Sequence, residues 1–322
     1  MEDDTRGQSA AASTQSFFSR QFEGEDKWEL WAKVGLVMLA LQLVAWLMVF
    51  LKLGVASVYA HALGISLLGT LTLPVVLWGL VKTLFNPPAL RRSRTVGFGA
   101  LIVVGVLGNV PLIAPPLSTQ NWVSEHAYRL PFDGEWTTLA GGPSRATNYH
   151  ATTATFRWGY DFALMREGRR FTGTGARLEE HHCFGQPVLA SAPGKVVTAV
   201  DFEADNKPGE PTATAVLGNH VVIEVGPGEY LFFSHLRQNA VPVKKGEQVE
   251  RGQKIGECGN SGRSVEPHVH VHLQNSLKFP FSESLPLRFS SYEADAKPVA
   301  LGMPEGTADS ERVAGQSVKH VD

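Results

Sequence analysis

Apolar residues are spread unevenly along this chain, and the three longest apolar runs all fall before residue 118. Residues 34–51 carry no charge, residues 55–81 are apolar apart from His61 and scattered Ser, Thr and Tyr, and residues 96–117 are again uncharged. A helix needs about 20 such residues to cross a bilayer, so the succession predicts three transmembrane helices over 34–117. Pro74 and Pro111 within the runs are compatible with this, because spanning helices accept proline where neighbours satisfy the freed carbonyls. A cleaved signal peptide does not fit the first run: 33 residues precede it, several of them acidic, and two further runs follow. From Gly185 the period changes. Short apolar runs at 187–190, 195–200, 219–225 and 230–234 are separated by turn formers such as Pro193-Gly194, Gly226-Pro227-Gly228 and Asn260-Ser261-Gly262. That pattern predicts an antiparallel, all-β domain of sandwich or open-barrel type over 118–298. Residues 166–180, rich in Gly and Arg, read as a loop between strands, and residues 1–33 and 299–322 as largely disordered tails.

Charge adds an orientation. The link between the second and third runs holds Lys82, Arg91, Arg92 and Arg94, whereas the first link holds only Lys52. Basic links stay on the cytoplasmic side, so the N-terminal tail, with Lys27 and Lys33, belongs inside and the β domain outside a cytoplasmic membrane, with lipid around the helices. The net charge is −2 over 322 residues, which gives no basic field for a nucleic-acid partner. The mean hydropathy of −0.05 would suggest a soluble protein, but it averages two unlike halves. Both cysteines, Cys183 and Cys258, fall in the expected outer half. A disulfide, two free buried thiols and a metal role for one of them are all open, although no Cys-x-x-Cys spacing supports the last.

The candidate chemistry is histidine-rich. In the run Pro267-His268-Val269-His270-Val271-His272, residues two apart in a strand project from one face, so three imidazoles would line one side of a sheet. A catalytic zinc site characteristically offers three protein ligands and one open position. Asp161, alone between Trp158-Gly159-Tyr160 and Phe162-Ala163-Leu164, is the leading carboxylate, since such an acid is rarely buried without a partner; an ion pair with Arg157 is the structural alternative. His150 and His235 complete the set, His235 closing the apolar run 230–234.

These residues resemble a family. From Gly185 to Leu273 the chain is similar to the lysostaphin-type zinc metallopeptidases that cleave peptide cross-links of bacterial cell walls. The matching phrases include Gly185-Gln186-Pro187-Val188, Gly218-Asn219-His220-Val221, Ser234-His235-Leu236, Gly259-Asn260-Ser261-Gly262 and Pro267-His268-Val269-His270. The resemblance implies a Zn2+-dependent endopeptidase acting on peptidoglycan peptides or another extracytoplasmic peptide. It implies His270 and Asp161 as metal ligands, with His268 and His235 as catalytic histidines. The place of the usual first ligand, four residues before the aspartate, is held by Arg157, whose guanidinium cannot ligate a metal. A subgroup with an upstream Asn-x-His phrase is matched by Asn148-Tyr149-His150, which makes His150 the expected third ligand, with His181 and His182 in reserve and His272 in an outer or surface position.

Two other classes compete. A catalytically degenerate member of the same fold could bind wall peptides or activate another hydrolase, with Arg157 its best support. A transporter or sensor is less well supported, because the three runs contain no Asp or Glu.

Overall fold

The computed structural model describes residues 27–86, 91–109, 119–212, 214–278, 281–307 and 315–321. Of the disordered tail expected over residues 1–33, residues 1–26 lie outside them, and residues 30–33 are corrected to the first turn of a helix. Two compact units are formed, one of residues 1–116 and one of residues 117–322.

The first unit is helical: α1 (Leu30–Phe50), α2 (Val55–Tyr59), a π-helical stretch (Ala60–Leu67), α3 (Leu68–Phe85) and α4 (Arg92–Asn109). In α1 the buried positions Ala32, Gly35, Met38, Gln42, Ala45 and Val49 recur every three or four residues, which places one stripe of the helix against its neighbours. Leu101 and Val104 of α4 complete that small core. Gln42 donates from Nε2 to the carbonyls of Val104 at 3.0 Å and Ile65 at 3.4 Å, tying α1 to α4 and to the π-helical stretch. Close approach of α3 and α4 depends on glycine, since a Cβ at Gly69 would stand 2.7 Å from the Gly108 Cα. The outward faces remain apolar, with Leu41, Leu43, Val44, Leu47, Leu73 and Leu77 exposed. Two helical spans, Leu30–Phe50 and Val55–Phe85, are long and apolar enough to cross a membrane. The third expected span is seen only as α4, because residues 110–118 lie outside the described residues. Arg94, one of the charges used for orientation, is buried and donates from Nε to Glu29 at 2.8 Å.

The second unit is an antiparallel β domain. Its strands are β1 (Glu135–Ala140), β2 (Tyr160–Ala163), β3 (Pro187–Leu189), β4 (Gly194–Val200), β5 (Asn219–Gly226), β6 (Glu229–Leu236), β7 (Gln248–Val249), β8 (Lys254–Glu257), β9 (Val269–Gln274), β10 (Ser284–Leu285), β11 (Phe289–Ala294), β12 (Lys297–Gly302) and β13 (Ser317–His320). The main sheet runs in the order β12-β11-β13-β1-β2-β9-β6-β5-β4-β7, with β10 pairing β9, and β3 and β8 form a separate ribbon. The strands central to the site are β2 (Tyr160–Ala163), β6 (Glu229–Leu236) and β9 (Val269–Gln274), and β5 (Asn219–Gly226) and β4 (Gly194–Val200) continue the sheet. All six residues of β9 are buried. Val269, Val271 and Leu273 join the apolar core with Tyr160, Phe162 and Phe233, so the residues between them, His270, His272 and Gln274, project from the opposite face.

The disordered tail expected over residues 299–322 is corrected. β12 (Lys297–Gly302) pairs with β11 (Phe289–Ala294), and β13 (Ser317–His320) lies between β11 and β1 (Glu135–Ala140). β12 has no fully buried residue and β13 is four residues long with Val318 and His320 turned inward. Such strands gain order from ladder bonds to neighbours, not from an apolar pattern of their own, and composition alone does not reveal them.

Candidate metal centre

Sheet register brings two of the expected ligands together. β2 and β9 are antiparallel neighbours with Asp161 directly opposite His270, and His270 Nδ1 lies 2.7 Å from Asp161 Oδ1. On its other side β9 pairs with β6, with Ser234 opposite His270 and Phe232 opposite His272. The Phe232 ring stacks on His272 at 4.7 Å. Gly159 leaves room for this arrangement, because a Cβ there would meet His270 Cε1 at 3.1 Å.

The third group comes from outside the sheet. Tyr149–Thr152 form a 3-10 turn capped by Asn148, whose side-chain oxygen accepts from the His150 amide at 3.0 Å. The buried Asn148 amide donates to the Gly142 carbonyl just after β1 at 3.1 Å, and to the Arg157 and Gly159 carbonyls on the chain entering β2 at 3.4 and 3.1 Å, which pins the turn between the two strands. His150 Nε2 thereby lies 3.0 Å from Asp161 Oδ2. Among the described residues, one group of side chains could hold a metal ion, and it is His150, Asp161 and His270, with donor atoms within 4.8 Å of one another. Arg157 turns elsewhere: it donates to the Pro143 carbonyl at 2.9 Å and its guanidinium lies 4.2 Å above the Trp158 ring. The ion-pair partners of Asp161 are His150, His268 and His270.

The proton positions around His270 follow from a hydrogen-bond chain behind it. Gln274 Nε2 donates to the Ser276 carbonyl at 2.6 Å, so Gln274 Oε1 is the acceptor facing His272 Nε2 at 3.2 Å. Ser282 donates to the same oxygen at 3.0 Å. His272 Nε2 therefore carries a proton and His272 Nδ1 is left to accept from His270 Nε2, 3.0 Å away. With its proton on Nε2, a neutral His270 directs the Nδ1 lone pair at the Asp161 carboxylate. Two acceptors 2.7 Å apart repel unless a cation lies between them, so the donor set fits a metal of the N/O-binding kind, and zinc in particular. His272 is fully buried and takes the outer position expected of it, not a surface one.

His235 and His268 flank this cluster, with ring centroids 4.8 Å apart. His235 has a φ of +61°, rare for a non-glycine residue. That turn breaks the alternation of β6 after Ser234. The His235 ring is 6.0 Å from that of His270, and Nδ1 donates to the Ser261 carbonyl at 2.9 Å. His268 Nδ1 donates to the Glu266 carbonyl at 2.9 Å, while its Nε2 lies 3.7 Å from Asp161 Oδ1. Burial, then the fields of His268 and His270, push the His235 imidazole down to about 3. Burial and the neighbouring imidazoles likewise hold His150 well below the ordinary histidine range. For Asp161 burial pushes up, but His268, His270 and His235 outweigh it and the carboxyl titrates low. Neutral imidazoles beside an ionised carboxylate are the protonation states that metal ligation requires.

His181 and His182 are not among the three donors, and the buried His181 donates from Nε2 to the Gly175 carbonyl at 3.0 Å. Sequence reasoning missed two neighbours. The hydroxyl of Tyr149, a half-exposed residue, donates to Asp161 Oδ2, and the Phe156 ring stands edge-on to His270 at 5.3 Å and His272 at 4.9 Å. Tyr149 lies inside the Asn148-Tyr149-His150 phrase, so the signal was present; Phe156 had none.

Residues 174–279 match Peptidase family M23, a stretch that contains His235, His268 and His270 and begins after His150 and Asp161. The peptidoglycan DD-endopeptidase ShyA of Vibrio cholerae is 36% identical over 110 residues, covering 32% of this chain and 22% of that protein. The peptidoglycan DD-endopeptidase ShyB of the same organism is 35% identical over 89 residues, 28% of this chain and 18% of that protein. The chain thus spans about a fifth of the length of these curated relatives. Among solved structures, lysostaphin from Staphylococcus simulans covers 51% of this chain and 52% of its own at 21% identity, with a TM-score of 0.29.

Proposed function

We propose that the protein is a zinc-dependent endopeptidase that hydrolyses peptide cross-links of bacterial peptidoglycan. In this reading its apolar helices form a multi-pass anchor in the cytoplasmic membrane, and the β domain stands on the extracytoplasmic side, where such a substrate is found. The observation that carries the reading is the convergence of His150, Asp161 and His270 within 4.8 Å; the match of residues 174–279, which include His270, to Peptidase family M23 supports it. The relatives named as peptidoglycan DD-endopeptidases give the substrate class.

His150, Asp161 and His270 would hold the metal. When bound, zinc supplies Lewis-acid polarisation of a scissile carbonyl and lowers the pKa of water towards about 7. The chain's own groups do the rest. His235, fixed by the Ser261 carbonyl on Nδ1 and kept neutral by burial, presents Nε2 as a hydrogen-bond acceptor that orients the attacking water. His268, fixed in the same way by the Glu266 carbonyl, offers Nε2 as the proton-carrying group, positioned to donate to the developing negative charge. The degenerate alternative draws on Arg157, but the ligand missing at that position is supplied by His150, and the donor set is complete without it.

The test is zinc content and hydrolysis of peptidoglycan peptides by the purified full chain in detergent, with and without a chelator. Stoichiometric zinc and activity abolished by chelation and restored by zinc are expected. A protein that binds no zinc, or cuts equally well when stripped of it, would refute the reading.

A further inference from the structure

The two cysteines sit together although 75 positions separate them in sequence. Both are free thiols in the structure, with Cys258 Sγ 2.8 Å from Cys183 Sγ, and both residues are buried, at 0% and 2% exposure. A disulfide sulfur pair stands at about 2.05 Å, so closure requires a movement of under about 1 Å. Their backbones are already paired: the Gly185 amide donates to the Cys258 carbonyl and the Cys258 amide to the Gln186 carbonyl, each at 2.8 Å. Among the described residues, Cys183 Sγ meets the Pro267 carbonyl at 3.0 Å besides its partner sulfur, and neither thiol belongs to the metal-binding group. No other cysteine exists in the chain to compete.

We propose that Cys183 and Cys258 form a disulfide in the mature protein, tying the residues before β3 to the floor of the metal centre. The bond would act at three points. Cys258 is bridged to Leu236, the residue after His235; Gly259 is bridged to His268; and Pro267, whose carbonyl Cys183 touches, precedes His268. The oxidant is a low-molecular-weight disulfide. One protein thiolate attacks it, the mixed disulfide forms, and the second protein thiolate displaces the remaining small thiol. Two S–H bonds and one S–S bond are broken, one protein S–S bond is made, and two small thiols leave with the two protons. Because both sulfurs are enclosed in the folded domain, the exchange takes place during folding. The proposal does not depend on the metal or on the peptidase reading.

The test uses the full chain in detergent, refolded with oxidised glutathione and then denatured in the presence of a maleimide. The expected result is no label, an intact mass short by two hydrogen atoms, and a digest in which the peptides of Cys183 and Cys258 travel together until reduced. Protein refolded in reductant should melt about 10 °C below protein refolded with oxidised glutathione, and a Cys183→Ala/Cys258→Ala variant should melt at the same temperature after either treatment. Labelling of both cysteines after refolding with glutathione would overturn the proposal, as would equal melting temperatures of the two wild-type preparations. The labelling result on the wild type stands even if the double variant fails to fold.

Discussion

The candidate metal centre draws its donors from two kinds of structure. Asp161 and His270 stand opposite each other on β2 and β9, in the middle of the sheet, with side chains 2% and 5% exposed. His150 comes from a four-residue 3-10 turn, and its side chain is 16% exposed. The strand-borne pair is placed by a ladder that the whole domain maintains. The turn-borne group is placed by one side chain, Asn148, through four local hydrogen bonds. A site assembled in this way is rigid at the back and adjustable at its mouth, so losses on the two sides should differ in size.

The largest effect should come from the strand side. His270→Ala removes a donor and leaves Asp161 facing no imidazole across the ladder. Zinc should be lost from the purified protein and hydrolysis should fall at least about 1000-fold, the several kcal/mol expected of Lewis-acid catalysis. The fold should persist, because the apolar face of β9 is untouched. Metal analysis, activity and a melting curve on one preparation check this, and retained zinc in the variant would contradict the assignment of His270 as a ligand.

Next in size is the turn side. Asn148→Ala keeps all three ligands but frees the His150 amide and removes two bonds to the entry of β2. Zinc affinity measured by competition with a chromophoric chelator should drop by about 10- to 100-fold, in the range of outer-shell losses. Activity should recover at high zinc. Recovery would separate this variant from His150→Ala, in which added zinc cannot replace the missing donor.

A smaller loss should follow from breaking the proton chain behind His270. His272→Phe preserves the packing against Phe232 but leaves the His270 Nε2 proton without its acceptor, so the tautomer that points Nδ1 at the metal is no longer enforced. About a 10-fold weakening of zinc binding is expected. An unchanged affinity would mean that Asp161 and the metal alone orient the ring.

The same division between sheet and turn explains what could be read from sequence. The alternation Val269-His270-Val271-His272 is visible because a strand with one apolar and one polar face must show it, and the β5 and β6 runs are equally plain. Asp161 stood out as a single acid among Trp158, Tyr160 and Phe162. His150 was reachable only through the family resemblance, since a short turn held by one asparagine has no periodic signature. The positive φ of His235 was invisible for a related reason: β6 reads as a regular strand to its end, and the Leu217 and Ser261 carbonyls that bond His235 come from distant segments. β12 and β13 were lost because their order depends on β11 and β1, not on their own polar residues.

His235 also supplies the finest test, because it stands where strand regularity fails. Its imidazole titrates at about 3 in the folded protein against about 6.5 in an unfolded chain. A proton therefore binds the unfolded state first. The stability that neutral His235 maintains is complete above pH 6.5 and is lost as pH falls from there towards 3, at a slope of up to about 1.4 kcal/mol per pH unit. Melting curves of the chelator-treated protein between pH 7 and 4 should show this decline. His235→Asn, which has no proton to gain in that window, should show a shallower one. Asp161 does not confuse the comparison, since its lowered pKa places its own loss below the ordinary carboxylate range. Equal slopes in the two proteins would mean that His235 reaches solvent more freely than its place at the end of β6 implies, and that the rigid side of the site ends before it.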